Sequence, residues 1–326
     1  MDLNQIKNEI GRRYSRAMVT GGAGFIGSHV IEELLDTGID VISIDNFIAG
    51  KQENIVAFEG NPRFKNVSCD ITDYETLKKH FDGVDIVFHQ AASKKNVCLK
   101  DPRIDLRVNG EGAFNLLELS RDKGVKKFVH ASTGSVYGEA KITPQTEEHP
   151  LCPVSYYGVS KLAGERYAKA FEHLYGLDTT ILRYFHVYGP RQESGEFGGV
   201  IAIFARAILS GKHPIIFGDG TQERSFTYVK DCVNANLFVA VTDGTKGQEY
   251  NCASGINVTV GKLCETMLDI LDRKDLKPEY RDWLVGDIKK FDISNEKLRS
   301  FGFEFRASFE EGLAETIKYY RTLFGR

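Results

Sequence analysis

The stretch Val19–Gly27, which reads Val-Thr-Gly-Gly-Ala-Gly-Phe-Ile-Gly, constrains the fold of this chain more than any other. A short apolar run, Ala17–Val19, leads into it, and a helix-like segment, Ser28–Asp36, follows it. A strand, a glycine turn and a helix in this order are typical of a dinucleotide-binding site. The alternative is a glycine-rich turn that binds nothing.

Each glycine of this turn has a separate physical task. Gly21 allows the sharp turn, Gly24 lets backbone N–H groups approach a pyrophosphate, and Gly27 lets the helix pack closely against the strand. The pyrophosphate would then lie at the positive end of the helix dipole. Phe25 and Ile26, inside the same turn, belong to the predicted cofactor-binding site.

An acidic residue closes the next predicted strand. Val41–Ile44 is apolar and runs into Asp45 and Asn46. A carboxylate about 20 residues after the glycine turn suits the hydroxyls of an adenosine ribose. No arginine follows directly, so the 2′-phosphate of NADP would meet a negative charge. We therefore predict NAD as the cofactor, with Asp45 and Asn46 in its site.

Composition excludes several other classes of protein. The 326 residues carry a net charge of −3, which points to neither nucleic acid nor an anionic membrane surface. No apolar run reaches about 18 residues, and the start does not resemble a secretory signal. The six cysteines form no CxxC pair, so we expect no metal site and no disulfide framework. A reducing cytoplasm is the simplest location.

Apolar strands alternate with helical segments through the first half, which predicts an α/β Rossmann fold with a doubly wound parallel sheet and helices on both faces. The strand candidates are Ala17–Val19, Val41–Ile44, Phe64–Ser68, Ile86–Gln90, Lys127–Ala131 and Thr179–Tyr184. The helical candidates between them include Tyr74–Phe81, Val108–Lys123 and Tyr157–Tyr175.

The predicted division has three parts. Residues 1–16 form a leading helix, and residues 17–190 form the NAD-binding Rossmann domain. Residues 191–326 form mainly a smaller α/β substrate-binding region, with some segments returning to the Rossmann sheet.

Ligands of such sheets gather at the carboxyl ends of the strands. Asp70 and Ile71 follow the third strand, where Asp70 could reach an adenine. Small residues follow the fourth strand and leave room for a cofactor, namely Ala91, Ala92 and Ser93. Ser132 follows the fifth strand and joins the predicted cofactor site.

Tyr157 and Lys161 lie four residues apart near the start of a predicted helix, so their side chains share one face. A nearby ammonium favours the phenolate, which lowers the tyrosine pKa from about 10 and makes Tyr157 a usable general base. The same spacing occurs at Tyr74/Lys78 and Tyr137/Lys141. The loop from the fifth strand selects Tyr157, because it can bring that helix beside the cofactor.

Hydroxyl groups cluster just after the fifth strand, at Ser132, Thr133 and Ser135. Any of them could hydrogen-bond a substrate hydroxyl and share its proton with Tyr157. The alternative is turn capping, which serine and threonine often provide. The strand-end rule favours Thr133 as the catalytic hydroxyl.

Together these motifs resemble the extended short-chain dehydrogenases/reductases of the nucleotide-sugar epimerase and dehydratase family. The chain is similar to UDP-glucose and UDP-N-acetylglucosamine 4-epimerases and to 4,6-dehydratases of legionaminic-type pathways. The resemblance runs from about residue 17 to the C-terminus. The segments that carry it are Thr20–Gly27, Asp45-Asn46, Ser132–Gly138, Tyr157–Lys161, Leu182–Arg191 and Phe217–Arg224.

The resemblance implies transient oxidation of a nucleotide-linked sugar at C4. Tyr157 would take the proton of the 4-hydroxyl, Lys161 would bind the nicotinamide ribose, and Thr133 would steady the 4-oxygen. Arg224 would pair with the nucleotide diphosphate. The substrate-binding residues implied in addition are Lys94, Ser135, His186, Arg191 and Arg281. The resemblance also implies a homodimer through the helices Val108–Lys123 and Tyr157–Tyr175.

The two subfamilies differ after this first step. Dehydratases resemble one another in an Asp-Glu pair directly after the threonine, where this chain has Gly134 and Ser135. We therefore predict a 4-epimerase of a UDP-hexose or UDP-N-acetylhexosamine. The alternative is a 4,6-dehydratase of GDP- or UDP-N-acetylglucosamine, in which Glu139, Lys94 or Lys95 supplies the missing acid or base. A more remote alternative is a non-catalytic NAD-binding sensor.

Two departures affect the substrate pocket. His186 stands where most relatives have an asparagine that meets the sugar nucleotide. Relatives often carry Arg-Pro-Gly-Asp late in the chain, where this sequence reads Leu284-Val285-Gly286-Asp287. Arg281 is the candidate to replace the missing arginine, and GDP remains an alternative to UDP.

Overall fold

The centre of the molecule is a seven-stranded sheet, seen in a computed structural model that describes residues 1–93, 101–195, 198–283 and 292–324. All neighbouring strands are parallel, in the order β3-β2-β1-β4-β5-β6-β11. The seven strands are β1 (Arg16–Thr20), β2 (Asp40–Asp45), β3 (Phe64–Ser68), β4 (Ile86–His89), β5 (Lys127–Thr133), β6 (Thr179–Tyr184) and β11 (Gln248–Cys252).

Helices cover both faces of this sheet. They are α1 (Leu3–Arg13), α2 (Phe25–Leu35), α3 (Tyr74–Lys78), α4 (Pro102–Asp105), α5 (Ala113–Asp122), α6 (Tyr156–Tyr175), α7 (Val200–Leu209), α8 (Val229–Val241), α9 (Val260–Ile270), α10 (Glu296–Ser300) and α11 (Phe309–Phe324). A π-helical segment, Leu106–Gly112, joins α4 to α5. Short 3₁₀ turns lie at Gln52–Asn54, Val56–Phe58 and Gly134–Val136.

The strands are apolar on both sides, which is why they lie at the centre of the fold. In β1, the side chains of Met18 and Val19 enter two different core clusters on opposite faces. In β4, Val87 and Phe88 divide between the same two clusters. The predicted doubly wound α/β architecture is therefore confirmed.

Helix α1 packs against α8 and α2 outside the sheet. Ile6 and Ile10 are buried, and the Tyr14 hydroxyl donates to the Ala240 carbonyl oxygen at 2.6 Å. Lys7 pairs with Glu33 at 2.6 Å and so ties α1 to the helix that follows the glycine turn.

The C-terminal part is built on short strand pairs. They are β7 (Val187–Tyr188) with β10 (Thr227–Tyr228), β8 (Ile215–Phe217) with β13 (Glu279–Arg281), and β9 (Glu223–Ser225) with β12 (Asn257–Thr259). β11, in contrast, joins the central sheet beside β6. In the described residues, no helix is long and apolar enough to cross a membrane.

The structure shifts three predicted boundaries near the site. Helix α2 begins at Phe25 rather than Ser28, because Gly24 is its N-cap. Strand β5 continues past Ala131 to Thr133, so the predicted hydroxyls lie on or directly after the strand. The predicted helix Val108–Lys123 is preceded by α4 and contains part of the π-helical segment.

Candidate active site

A cavity of about 300 Å³ lies at the carboxyl ends of the central strands. Every residue predicted to bind the cofactor lines it. These are Gly21, Gly24, Phe25, Ile26, Gly27, Asp45, Asn46, Asp70, Ile71, Ala91, Ala92, Ser93, Ser132, Tyr157 and Lys161. The fold thus brings together residues that are up to 140 positions apart in the chain.

The glycine turn is shaped by close backbone approach. Gly21 has a φ of +66°, and a Cβ on it would lie 2.8 Å from the Ala91 nitrogen. A Cβ on Gly27 would lie 2.2 Å from the Gly21 carbonyl oxygen, so only glycine lets α2 start this near the strand. No side chain caps α2 at Gly24. Its first N–H groups are therefore available to an anionic ligand.

Asp45 is buried at the end of β2, and its carboxylate braces the glycine turn. It accepts hydrogen bonds from the backbone N–H of Ala23 at 3.0 Å and of Phe47 at 2.8 Å. Burial raises the pKa of this carboxyl, and the two backbone hydrogen bonds oppose that rise. A Cβ on Gly50 would lie 2.6 Å from the carboxylate, so the following loop also folds tightly around Asp45.

Asn46 and Asp70 form a polar pair on the same side of the cavity. The Asn46 amide donates to Asp70 Oδ2 at 2.7 Å, and Thr72 donates twice to Oδ1, at 2.7 and 2.8 Å. Burial acts to raise the pKa of Asp70, but these hydrogen bonds outweigh it and lower the pKa. The carboxylate therefore stays ionised and fixed in direction.

Helix α6 carries both Tyr157 and Lys161 toward the cavity. Ser155 caps it by accepting from the Gly158 N–H at 3.1 Å. Ser160, on the same helix, donates to Asp105 at 2.8 Å and accepts from Asn109 at 3.0 Å. This buried link ties α6 to α4 and to the π-helical segment.

The Lys161 ammonium is a buried positive charge in the site. Its residue is 2% exposed, and it makes no hydrogen bond or ion pair within the described ranges. Burial lowers its pKa to about 8, while Glu165 and Asp105 act to raise it. A buried donor of this kind fits a ligand that supplies hydroxyl oxygens.

The hydroxyls at the end of β5 and directly after it have different hydrogen-bond partners. Ser132 donates to Glu165 Oε1 at 2.5 Å. Thr133 donates to the Ser135 hydroxyl at 3.3 Å and accepts from the Ser135 N–H at 3.2 Å. Thr133 and Ser135 are half-buried and do not line the cavity itself. Thr133 thus also caps the 3₁₀ turn that begins at Gly134.

Gly134 has a neighbour that the sequence does not reveal. A Cβ at this position would lie 2.2 Å from Cε1 of the buried Phe185 ring. The phenylalanine therefore occupies the space that any side chain at position 134 would need.

Comparison with known proteins agrees with this geometry. Residues 17–253 match the model of the NAD-dependent epimerase/dehydratase family. The chain belongs to that family.

Solved structures of family members superpose over nearly the whole chain. UDP-glucose 4-epimerase from Thermotoga maritima, solved with UDP-glucose, is 38% identical with a TM-score of 0.89 over 94% of this chain and 99% of that one. UDP-N-acetylglucosamine 4-epimerase from Methanobrevibacter ruminantium is 34% identical, with a TM-score of 0.90 over 95% and 99%. The dTDP-glucose 4,6-dehydratase from Streptomyces venezuelae, solved with NAD, is 31% identical, with a TM-score of 0.88 over 94% and 97%.

As in this family, the cofactor is NAD, and the residues of the cavity suit it. The uncapped start of α2 fits a pyrophosphate, the buried Asp45 carboxylate fits ribose hydroxyls, and the Lys161 ammonium fits a second ribose. The described residues contain no cluster of histidine, cysteine or carboxylate side chains that could hold a metal ion. The role of each single residue remains a prediction.

The predicted substrate residues are more scattered. Arg191 lines the cavity but pairs with Glu32 of α2 at 2.7 Å. His186 lies after β6 with a φ of +34°, its ring edge-on to Phe226. Arg224 donates to the Glu223 carbonyl oxygen at 2.8 Å. Arg281 lies in β13, half-exposed and 3.8 Å from Glu279. Of these four residues, Arg191 is the one that lines the cavity described above, and the binding roles of all four stay predictions.

Some predicted residues fall outside the described ranges. These are Lys94 and Lys95, and the segment 284–287 that replaces the usual Arg-Pro-Gly-Asp.

Several cavity residues were missed in the sequence. Gln90 and Tyr184 line the cavity at the ends of β4 and β6. The Gln90 amide and the Tyr184 hydroxyl both donate to Asn236 Oδ1, each at 2.9 Å. The strand-end rule that selected Asp70 and Ser132 would have found them. Gly50 and Asn54 also line the cavity, but no sequence signal marked their loop.

Proposed function

We propose that this chain is an NAD-dependent 4-epimerase of a UDP-hexose or UDP-N-acetylhexosamine. The observation that carries the proposal is the crowding at Gly134. A 4,6-dehydratase needs a second acid/base set beside the sugar, and its relatives place an acidic residue at this position. Here a Cβ at position 134 would already lie 2.2 Å from the Phe185 ring, so a carboxylate there would require this buried ring to shift.

NAD supplies a hydride acceptor for the sugar carbon C4. Around it, Tyr157 takes the proton of the 4-hydroxyl and later returns it to the 4-oxygen. Lys161, whose ammonium makes no hydrogen bond or ion pair with the described residues, favours the ionised phenol and binds ribose hydroxyls. Thr133 holds the 4-oxygen by a hydrogen bond. Epimerisation needs no further acid or base, because the hydrogen that leaves C4 returns to the other face.

The substrate side of the proposal rests on cationic and hydroxyl residues. Arg224 would pair with the diphosphate, a task that suits a guanidinium. Lys94, Ser135, His186, Arg191 and Arg281 would line the remaining sugar-nucleotide pocket. Of the three candidates for the dehydratase acid or base, Glu139 lies within the described residues. Its side chain is solvent-exposed, which disfavours the dehydratase alternative.

Product analysis tests the proposal. The purified protein is incubated with UDP- and GDP-linked glucose and N-acetylglucosamine, and the products are separated and weighed by mass spectrometry. A new chromatographic peak of unchanged mass supports the epimerase. Loss of one water would contradict it and would favour the dehydratase. Binding of NAD without conversion of any donor would favour a sensor.

We also propose that the protein is a cytoplasmic homodimer. Five cysteines of the described ranges are free thiols, which suits a reducing compartment. The exposed apolar side chains on α6 and the segment before α5 support a contact between two copies. They include Val159 at 55% exposure, Leu174 at 65% and Leu106 at 64%.

A further inference from the structure

Glu165 is a buried carboxylate that the reaction outlined above leaves without a task. It lies one helical turn after Lys161 on α6 and is 2% exposed. Three donors reach its two oxygens. Oε1 accepts from the Ser132 hydroxyl at 2.5 Å and from Arg183 Nε at 3.0 Å, and Oε2 accepts from Arg183 Nη2 at 2.8 Å.

This geometry fixes which way the Ser132 hydroxyl points. Arginine has only donors, and a carboxylate that faces a guanidinium fork with both oxygens is ionised and only accepts. Ser132 must therefore donate its single hydrogen to Glu165. Toward the cavity, which Ser132 lines, its oxygen can offer only lone pairs.

The Glu165 carboxylate is also held against rotation. Arg183, itself 2% exposed, donates with Nη1 to the Tyr137 hydroxyl at 2.8 Å and to the Glu147 carbonyl oxygen at 3.2 Å. The Tyr137 hydroxyl donates in turn to Asn251 Oδ1 at 2.6 Å. A buried network that is satisfied at each of these steps holds the charge in one place.

The charged and titratable groups around Lys161 come from four elements. Glu165 and Tyr157 lie on α6, Asp105 on α4, His89 on β4 and His130 on β5. Burial lowers the pKa of both histidines to well below the usual value, and the nearby Lys161 lowers it further. Both rings are therefore neutral at physiological pH. Glu165 and Asp105 are the two carboxylates that oppose the desolvation of the ammonium.

We propose that Glu165 is a positioning residue of this active site, which holds Ser132 as a hydrogen-bond acceptor toward the cofactor and keeps a negative charge beside the Lys161 ammonium. This inference rests on the proposed function, because it assigns a task within the same site. Asp105 cannot replace Glu165 in the first role, since its two oxygens accept from Asn109 and Ser160.

The test removes the Glu165 charge without leaving Arg183 alone in the core. A buried pair replaced as a unit is tolerated better than a pair broken by one substitution. The main variant is therefore Glu165→Gln with Arg183→Met. Glu165→Gln alone is a second version, and Ser132→Ala removes only the hydroxyl. Glu249→Gln is the matched control, because Glu249 pairs with Lys169 further along α6 and does not contact Ser132.

The readout is the affinity for NADH, followed by fluorescence from pH 6.5 to 10. It needs no sugar substrate, so it separates this inference from the proposed function. The affinity for NADH should fall with rising pH as Lys161 loses its proton. Lys161→Met has no proton to lose at this position, so the absence of the fall in this variant assigns it to Lys161. We expect the affinity of Glu165→Gln to fall about one pH unit lower than that of the wild type, because Lys161 loses a neighbouring negative charge. In the double variant the shift has the same direction but is smaller, because the loss of the Arg183 charge opposes it.

Ser132→Ala should bind NADH several-fold more weakly than the wild type, and its affinity should fall at the same pH as that of the wild type. Glu249→Gln should match the wild type in both respects. If the NADH affinity of both Glu165 variants fell at the same pH as that of the wild type, the inference would be overturned. This holds even if thermal unfolding showed that the variants are destabilised. Failure of the proposed function is a separate result, in which the wild type converts no nucleotide sugar but the shift with pH is still seen.

Discussion

The ring of Phe185 lies where a side chain on Gly134 would have to go, with Cε1 2.2 Å from an ideal Cβ. Phe185 is 2% exposed and stacks against Tyr137, so a shift of its ring would disturb this buried packing. The packing of the residues that follow β5 and β6 thus favours a glycine directly after Thr133. The contact therefore disfavours the acidic pair that the resemblance to dehydratases would place at this position.

Gly134→Asp should therefore damage the fold rather than create a dehydratase. An added side chain in a packed region costs about 1–3 kcal/mol, and an unpaired charge adds to that cost. We expect a lower thermal midpoint and no dehydrated product. Ser135→Asp, the neighbouring change at a half-buried position, is the control and should be milder. A Gly134→Asp protein of wild-type stability would show that Phe185 yields easily.

Tyr157→Phe should abolish turnover and keep NAD. The change removes only the hydroxyl that accepts the substrate proton, and general-base catalysis of this kind contributes about 10²- to 10⁴-fold. The measurements are the steady-state rate and the NAD content of the purified protein. Tyr156→Phe is the matched control, because Tyr156 is the adjacent residue and is 59% exposed. Activity that survived in Tyr157→Phe would refute the assignment.

Lys161→Met should stabilise the protein at pH 7 while destroying activity. The pKa of Lys161 is lowered from 10.5 to about 8 in the fold, so the folded state holds this proton less tightly than the unfolded state does. At neutral pH the buried charge costs stability, by at most roughly 3 kcal/mol for a shift of this size.

The sign of the pH dependence follows from the same shift. Between about pH 8 and 10.5, the unfolded chain binds more protons at this site, so the contribution of Lys161 to the free energy of unfolding rises with pH. Urea unfolding of wild type and Lys161→Met at pH 7 and 10 measures it. Lys169→Met, which removes a lysine paired with Glu249 on the same helix, should not stabilise. Equal stability differences at both pH values would contradict the account.

Asp45→Asn should weaken NAD binding at least about tenfold and reduce the preference over NADP, since the ribose loses a charged acceptor. The isosteric amide keeps one oxygen, which preserves the hydrogen bond from the N–H of either Ala23 or Phe47, since these two groups bond different oxygens of Asp45. Calorimetric titration with both cofactors measures the change. Asp40→Asn, at the opposite end of β2 and paired with Arg16, should leave both affinities unchanged. Unaltered NAD affinity in Asp45→Asn would remove Asp45 from the site.

Leu174→Glu should separate the proposed homodimer. Leu174 is 65% exposed on α6, and a charge there would be buried against the second copy. Light scattering should then give the 36.5 kDa of one chain instead of twice that mass. Leu323→Glu, at 54% exposure on α11, is the control and should stay dimeric. A wild-type protein that is already monomeric would refute the proposal.

The sequence was sufficient to predict six of the seven strands of the central sheet and many of the residues that line the cavity. Glycine spacing, apolar strands and polar residues at strand ends are local signals, and each reports a backbone requirement directly. They predicted Gly21, Asp45, Asp70 and Lys161 in one cavity, and the structure places all four there.

Contacts between distant segments could not be predicted in the same way. The ring of Phe185 against Gly134, the bond from Ser132 to Glu165 and the pairing of Arg191 with Glu32 depend on how strands and helices pack. No pattern in the sequence encodes the distance between such residues. Helix α2 begins three residues before the predicted Ser28, because the last residues of the glycine motif already belong to the helix.

The most direct test of the central claim is to run the reaction in D₂O, return the product to H₂O and measure its mass by mass spectrometry. A 4-epimerase returns the same hydrogen to C4, so we predict a new isomer of unchanged mass with no deuterium on carbon. A product that has lost water and carries carbon-bound deuterium would show that a proton left C5. That result would contradict the account and assign the chain to the dehydratases of its family.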